Sequence, residues 1–200
     1  MSSEQLPDGS VETARYTHGH SAAVLSAHSR RGAADSAAYL LAHLNAGMDL
    51  LDVGCGPASI TADLAERVAP GRVFALDAAA GALEAARATL RERGLSEQVE
   101  VTCGDVMALP FEDASFDVVH AHQVLQHVAD PVAALREMRR VTRPGGIVAA
   151  RDSVYSAKAW YPQPPALERW RRVYISTARA NGGEPDAGSR LLSWARAAGL

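Results

Sequence analysis

Leu50-Leu51-Asp52-Val53-Gly54-Cys55-Gly56-Pro57-Ala58 is the stretch that decides the fold. An apolar run meets two glycines one residue apart, and beyond Pro57 the residues Ile60, Leu64 and Val68 recur at i, i+4 and i+8. That pattern reads as a strand, a tight turn and an amphipathic helix. The alternation continues along the chain. Further strands are predicted at Val73-Phe74-Ala75-Leu76, Val99-Glu100-Val101-Thr102, Phe116-Asp117-Val118-Val119 and Ile147-Val148-Ala149-Ala150, with Leu83, Ala86 and Leu90 marking a helix between the second and third. Asp130 followed by Pro131 predicts an N-cap and a first helical position, and the helix carrying Val132, Leu135 and Met138 is predicted to stop at Pro144-Gly145-Gly146. Repeated β-α-β units imply an α/β fold: a Rossmann-like, doubly wound sheet with right-handed crossovers and helices on both faces.

Outside this frame the composition changes. Residues 1–12 are polar, with Pro7, Asp8, Gly9 and Ser10 close together, and read as a flexible tail. From about Ser21 to Leu44 the sequence is alanine-rich, with Val24, Leu25, Tyr39, Leu40, Leu41 and Leu44, and predicts one or two helices broken near Gly32. The Rossmann-like domain takes residues 48–200. Within it, Trp160, Tyr161 and three prolines precede a helix containing Leu167, Trp170, Tyr174 and Ile175, which Asn181-Gly182-Gly183 should end, and a last helix is expected from about Ser189 to Ala198.

Composition excludes several classes of function. A formal charge of −3 leaves no basic excess to attract a nucleic-acid backbone. No apolar run approaches the roughly 20 residues of a membrane span, and the first residues lack the pattern of a secretory signal, so a soluble cytoplasmic protein is expected. Cys55 and Cys103 are the only cysteines and form no metal-ligand cluster, so no metal is expected. Arg136, Arg139, Arg140 and Arg143 crowd a helix C-terminus, where cations are favoured anyway, and read as a solvated face.

In doubly wound sheets ligands bind at the carboxyl ends of strands, so the glycine turn after the first strand marks a cofactor site. A dinucleotide site wants Gly-x-Gly-x-x-Gly with a diphosphate on the helix N-terminus. Here Ser59 stands at the third glycine position and Pro57 removes a backbone donor. Asp52, two residues before the first glycine, suits a cationic sulfonium and ammonium better than a diphosphate. S-adenosylmethionine is therefore the favoured cofactor. Asp77 ends the second strand 23 residues after Gly54, where a carboxylate accepts hydrogen bonds from ribose hydroxyls. Gly104-Asp105-Val106 follows the third strand; Asp105 is placed to accept from the adenine amino group and Val106 to pack on the ring.

Taken together, these segments resemble the class I S-adenosylmethionine-dependent methyltransferases of the ubiquinone/menaquinone-biosynthesis type. Asp52-Val53-Gly54-Cys55-Gly56-Pro57 is similar to the family's first motif, Ala75-Leu76-Asp77 to its second and Gly104-Asp105-Val106-Met107-Ala108-Leu109-Pro110-Phe111 to its third. Phe116-Asp117-Val118-Val119, Val124-Leu125-Gln126-His127-Val128 and Arg143-Pro144-Gly145-Gly146 resemble later segments, and the similarity covers about Met48 to Asp152. The resemblance implies a mostly parallel sheet, with residues 13–47 as an N-terminal cap and 153–187 as a substrate cover. It implies cofactor contacts from Tyr16, Asp52, Gly54, Cys55, Gly56, Asp77, Ala78, Gly104, Asp105, Val106, His122 and Gln123. Tyr155, Trp160, Tyr161 and Trp170 would line the acceptor pocket. Alanine stands at Ala58 where the family usually has glycine, and is expected to be tolerated as a residue suited to a helix start. The family's sheet has two further strands, and none is predicted before Leu200.

A sulfonium methyl is already electrophilic, so placing the nucleophile and excluding water are the protein's main tasks. If the acceptor needs a general base, His122 at the end of the fourth strand is the candidate, with His127, His18 and His20 as weaker ones. The implied partner is a small-molecule methyl acceptor; a homodimer is compatible with the sequence. Two other readings stay open: a module that binds S-adenosylmethionine or S-adenosylhomocysteine without turnover, and a nicotinamide-dependent oxidoreductase.

Overall fold

The computed structural model describes residues 31–200, so the tail and most of the expected helical cap, with Tyr16, His18 and His20, lie outside the described residues. Two short helices come first, α1 (Ala33–Ser36) and α2 (Ala38–Leu41). The alternating part follows as β1 (Leu50–Val53), α3 (Ser59–Val68), β2 (Val73–Asp77), α4 (Ala80–Glu92), β3 (Val99–Cys103), β4 (Phe116–His122), α5 (Pro131–Val141) and β5 (Thr142–Arg151). Then come α6 (Pro165–Ala180) and α7 (Leu191–Ala198).

The five strands pair in the order β3-β2-β1-β4-β5, every pair parallel, with β1 in the middle and fully buried. Alternate residues of each strand serve opposite layers. On one face Leu50, Val73, Ala75 and Val118 pack with Leu64 and Val68 of α3, Leu83, Ala86 and Leu90 of α4, and Leu40 of α2. On the other, Leu51, Val53, Val119 and Ala121 pack with Leu135, Met138 and Val141 of α5 and Ala198 of α7. Phe74, Phe111 and Phe116 meet edge to face there, with centroids 5.1–5.5 Å apart. The predicted Rossmann-like sheet is thus present, sandwiched between helices.

Asp130 caps α5 as expected, accepting from Ala133 N at 2.9 Å with Pro131 beginning the helix. The end of α5 differs from expectation. The helix stops at Val141 and β5 begins at once, so Arg143 to Gly146 are strand rather than the helix terminus the sequence predicts. An ion-pair cluster fixes this stretch: Arg143 donates to Asp117 Oδ2 at 2.6 Å and Asp49 Oδ2 at 2.9 Å, while Asp49 N donates to Asp117. These contacts tie the start of β5 to the amino-terminal end of the sheet, across up to 94 residues of sequence.

Because all the strands are parallel, Gly54, Ala78, Gly104, Gln123 and Asp152, each following a strand, emerge at one end of the sheet. That shared end defines the candidate site.

Candidate functional site

The turn after β1 is held against the end of β2. Gly54 N and Cys55 N both donate to Leu76 O, at 2.7 and 3.0 Å. Gly54 has φ +68°, and a Cβ there would run into a Val124 methyl; at Gly56, φ +54°, a Cβ would meet nothing, so the backbone faces open space. That combination leaves a backbone surface a ligand can approach closely. Asp77 Oδ2 accepts from Gly56 N at 3.0 Å and Oδ1 from Ala79 N at 2.9 Å, which fixes the carboxylate beside the turn. Cys55 is buried, and burial with the neighbouring Asp52 and Asp77 charges pushes its thiol well above the ordinary range. Its contribution to the turn is therefore backbone rather than sulfur chemistry.

Asp52 is turned into the protein interior. It is 3% exposed, with Oδ2 accepting from Thr61 Oγ1 at 2.5 Å and Oδ1 lying 2.7 Å from His120 Nδ1. Asp52 and His120 are register partners on β1 and β4, and strand parity turns both toward the face covered by α3. Each Asp52 oxygen thus has a partner inside the protein, Thr61 on one and His120 on the other.

After β3, Asp105 is exposed and Val106 buried. Asp105 Oδ1 accepts from Met107 N at 2.9 Å, closing a tight turn that presents Gly104 and Asp105 at the strand end. After β4, Gln123 sits at φ +58°, a left-handed conformation uncommon outside glycine, with its N–H on Arg151 O at 2.7 Å and its Oε1 accepting from Arg31 Nη1 at 3.3 Å. Strained residues of this kind gather at functional sites.

His122 is half-buried, and its Nδ1 is buried without a hydrogen-bond partner among the described residues. Burial, then the positive charge of Arg31, pushes its imidazole down to about 4. It is neutral at pH 7, a hydrogen-bonding group and a weak base.

Three groups at this end were not singled out from the sequence. Asp152, directly after β5, accepts from Gln126 N at 3.1 Å through Oδ1, while its buried Oδ2 has no partner among the described residues; burial pushes this carboxyl up to about 6. Tyr39 of α2 is exposed as a residue, yet its hydroxyl feels burial first and the Asp52 charge next, and is pushed up to about 12. The Arg151 and Asp152 charges also act on it. His120 is fully buried, and its Nε2 lacks a partner among the described residues. Position after a strand was a usable signal for Asp152; nothing local marks Tyr39 or His120.

Of the expected pocket aromatics, Tyr155, Trp160 and Trp170 come together and Tyr161 does not. Tyr155 stacks on Tyr174 at 4.0 Å, Trp170 stacks on Tyr174 at 5.7 Å, and Trp160 meets Trp170 edge-on at 6.5 Å. Tyr161 is 100% exposed and belongs to no such contact. The arginines near the end of α5 are held by specific partners rather than merely solvated. Arg140 pairs with Glu137 and Asp113, Arg143 with Asp117 and Asp49, and Arg136 and Arg139 donate to Ala197 and Ala198 carbonyls at the end of α7. They line a cavity of about 660 Å³ at the opposite end of the sheet from the glycine turn.

Among the described residues no group of three metal-binding side chains converges, and no helix is long and apolar enough to cross a membrane.

The family described as a methyltransferase domain matches residues 51–150. The chain belongs to this family, and with its parallel sheet it is a class I S-adenosylmethionine-dependent methyltransferase domain. It is 35% identical over 187 residues to an uncharacterised methyltransferase of Schizosaccharomyces pombe, covering 90% of this chain and 66% of that one. It is 40% identical over 129 residues to the demethylmenaquinone methyltransferase of Geobacillus stearothermophilus, covering 64% of this chain and 51% of that protein. A solved S-adenosylmethionine-dependent methyltransferase from Aquifex aeolicus aligns with a TM-score of 0.57 at 25% identity, over 72% of this chain and 78% of that one. The chain thus spans about half to two-thirds of the length of these curated relatives. Neither the oxidoreductase nor the non-catalytic module is favoured by these likenesses.

Proposed function

We propose that this chain binds S-adenosylmethionine across the carboxyl ends of β1, β2 and β3 and passes its methyl group to a small-molecule acceptor under the cover of residues 153–187. The observation that carries the reading is the Gly54–Gly56 turn, open beside Gly56 and braced by the Asp77 carboxylate. Bound there, the cofactor supplies a methyl on a positively charged sulfur. Asp77, already ordered by Gly56 N and Ala79 N, keeps lone pairs to accept ribose hydroxyls. Asp105 accepts from the adenine amino group, Val106 gives the ring an apolar seat, and Ala78, Gly104 and Gln123 border it. Asp52 supplies negative potential from behind the turn.

At the acceptor, His122 Nδ1 orients an O–H or N–H donor, while its low basicity makes it a poor proton acceptor. Asp152 is the better matched group for taking a proton near neutrality. Trp160 and Trp170, seated on buried Tyr155 and Tyr174, give a flat acceptor an aromatic wall. A cytoplasmic location fits this reading.

Calorimetry with S-adenosylhomocysteine tests the cofactor site. The chain should bind it, and Asp77→Ala should weaken binding by about tenfold or more, because charge-assisted hydrogen bonds are lost. No binding by the unaltered chain overturns the reading, and binding without turnover on a broad acceptor panel leaves only the non-catalytic module.

A further inference from the structure

Lys158 is the only lysine in the chain; every other basic side chain apart from histidine is arginine. It lies just after the short turn of helix at Tyr155–Ala157, seven residues beyond the end of β5 at Arg151. Its backbone is fixed on both sides: Lys158 N donates to Tyr155 O at 3.2 Å, and its carbonyl accepts from Arg171 Nη1 at 2.8 Å. The ammonium sits 3.7 Å from the centroid of the Tyr155 ring and 5.8 Å from that of Trp170.

The acids of the cover are committed elsewhere. Glu168 is 2.6 Å from Arg171, Glu184 is 3.0 Å from Arg190, and Asp186 takes Ser156 N at 2.8 Å and lies 3.5 Å from Arg179. None of the described ion pairs includes Lys158. Its surroundings act on it by burial and by the positive charge of Arg31, both of which push its ammonium below the ordinary range. Aromatic faces satisfy a cation electrostatically but accept none of its three N–H bonds directionally. A half-buried ammonium with a second cation nearby is therefore a place where an anion is stabilised. Arg31 itself donates to Gln123 Oε1 at 3.3 Å, just after β4.

From this arrangement we infer that Lys158 and the Trp160–Trp170 wall form a subsite for the carboxylate of a flat aromatic acceptor, held with the rest of its ring toward His122 and Gln123. The inference rests on the methyltransferase reading above and narrows its acceptor to an anionic aromatic compound. Lysine suits the task as a compact charge on an apolar stem that lies along the ring.

The test uses the chain saturated with S-adenosylhomocysteine and two probes of equal shape, 4-hydroxybenzoate and 4-hydroxybenzamide. Reductive methylation with a ¹³C label gives a single side-chain lysine signal, which can be followed by NMR while affinities are measured by calorimetry. The carboxylate should bind at least about tenfold more tightly than the amide and move the Lys158 signal. Lys158→Met, which keeps the stem, should bring the two affinities within about twofold, Lys158→Arg should keep most of the preference, and both should leave S-adenosylhomocysteine affinity unchanged. Equal binding of the two probes, binding of neither, or a preference that survives Lys158→Met overturns the subsite. Loss of S-adenosylhomocysteine binding in the unaltered chain would instead overturn the cofactor reading, so the two failures are distinguishable.

Discussion

Ala58 shows how one dihedral angle changes the meaning of a departure from a motif. The sequence suggested an alanine suited to a helix start, but the residue is the N-cap of α3, at φ 59° and ψ 23°, and its methyl is fully buried in the core. The substitution therefore bears on backbone strain and packing, and the methyl does not crowd the open side of the turn. A left-handed alanine costs about 1–2 kcal/mol, while removing a buried methyl costs about 0.8 kcal/mol. Ala58→Gly should therefore shift stability by less than about 1 kcal/mol and leave S-adenosylhomocysteine affinity unchanged. Ala58→Val combines overpacking with a β-branched residue at positive φ and should cost more than about 2 kcal/mol. Urea unfolding midpoints for the two variants check this, and similar losses in both would show that the site is not strained.

Elements are tied together by polar contacts that sequence patterns do not carry. Thr61 of α3, Asp52 of β1 and His120 of β4 form one buried network, so Thr61→Val should leave an Asp52 oxygen unsatisfied and cost about 1–3 kcal/mol. His120→Phe should cost a similar amount, and the double variant should differ from the sum of the two because both act on one carboxylate. A strictly additive double-mutant cycle would show that the network is not coupled. Legibility from sequence divides along the same line. The strand centres and the start of α5 were readable because apolar runs, i/i+4 spacing and an Asp-Pro cap are local signals. The early start of β5 was not, because Arg143 finds Asp117 and Asp49 only in the folded sheet. The strand-end positions of Asp77 and Asp105 could be read from spacing, whereas the inward turn of Asp52 depends on which partner stands opposite it on β4. A cluster of aromatics in sequence likewise could not separate buried Tyr155 from fully exposed Tyr161.

At the scale of the whole molecule, stability against pH is set partly by two groups at the same end of the sheet that pull in opposite directions. His122 is pushed down to about 4 from an ordinary value near 6.5, so between those values the unfolded chain binds more protons and stability rises with pH. Asp152 is pushed up to about 6 from an ordinary value near 3.8, so over that interval the folded chain binds more protons and stability falls as pH rises. Each shift corresponds to roughly 2–3 kcal/mol, with His122 nearer the lower figure because solvent reaches part of its ring. Across pH 4–6 the two contributions largely offset each other. Removing one should expose the other: relative to the unaltered chain, His122→Gln should lose its stability advantage as pH rises from 4.5 to 6.5, and Asp152→Asn should gain. Chemical denaturation at those two pH values reads the slopes directly. If both variants change stability by a pH-independent amount, neither group titrates differently in the folded and unfolded chain. Asp152 would then also lose its place as the proton acceptor near neutrality, because burial is what lifts its affinity for a proton into that range.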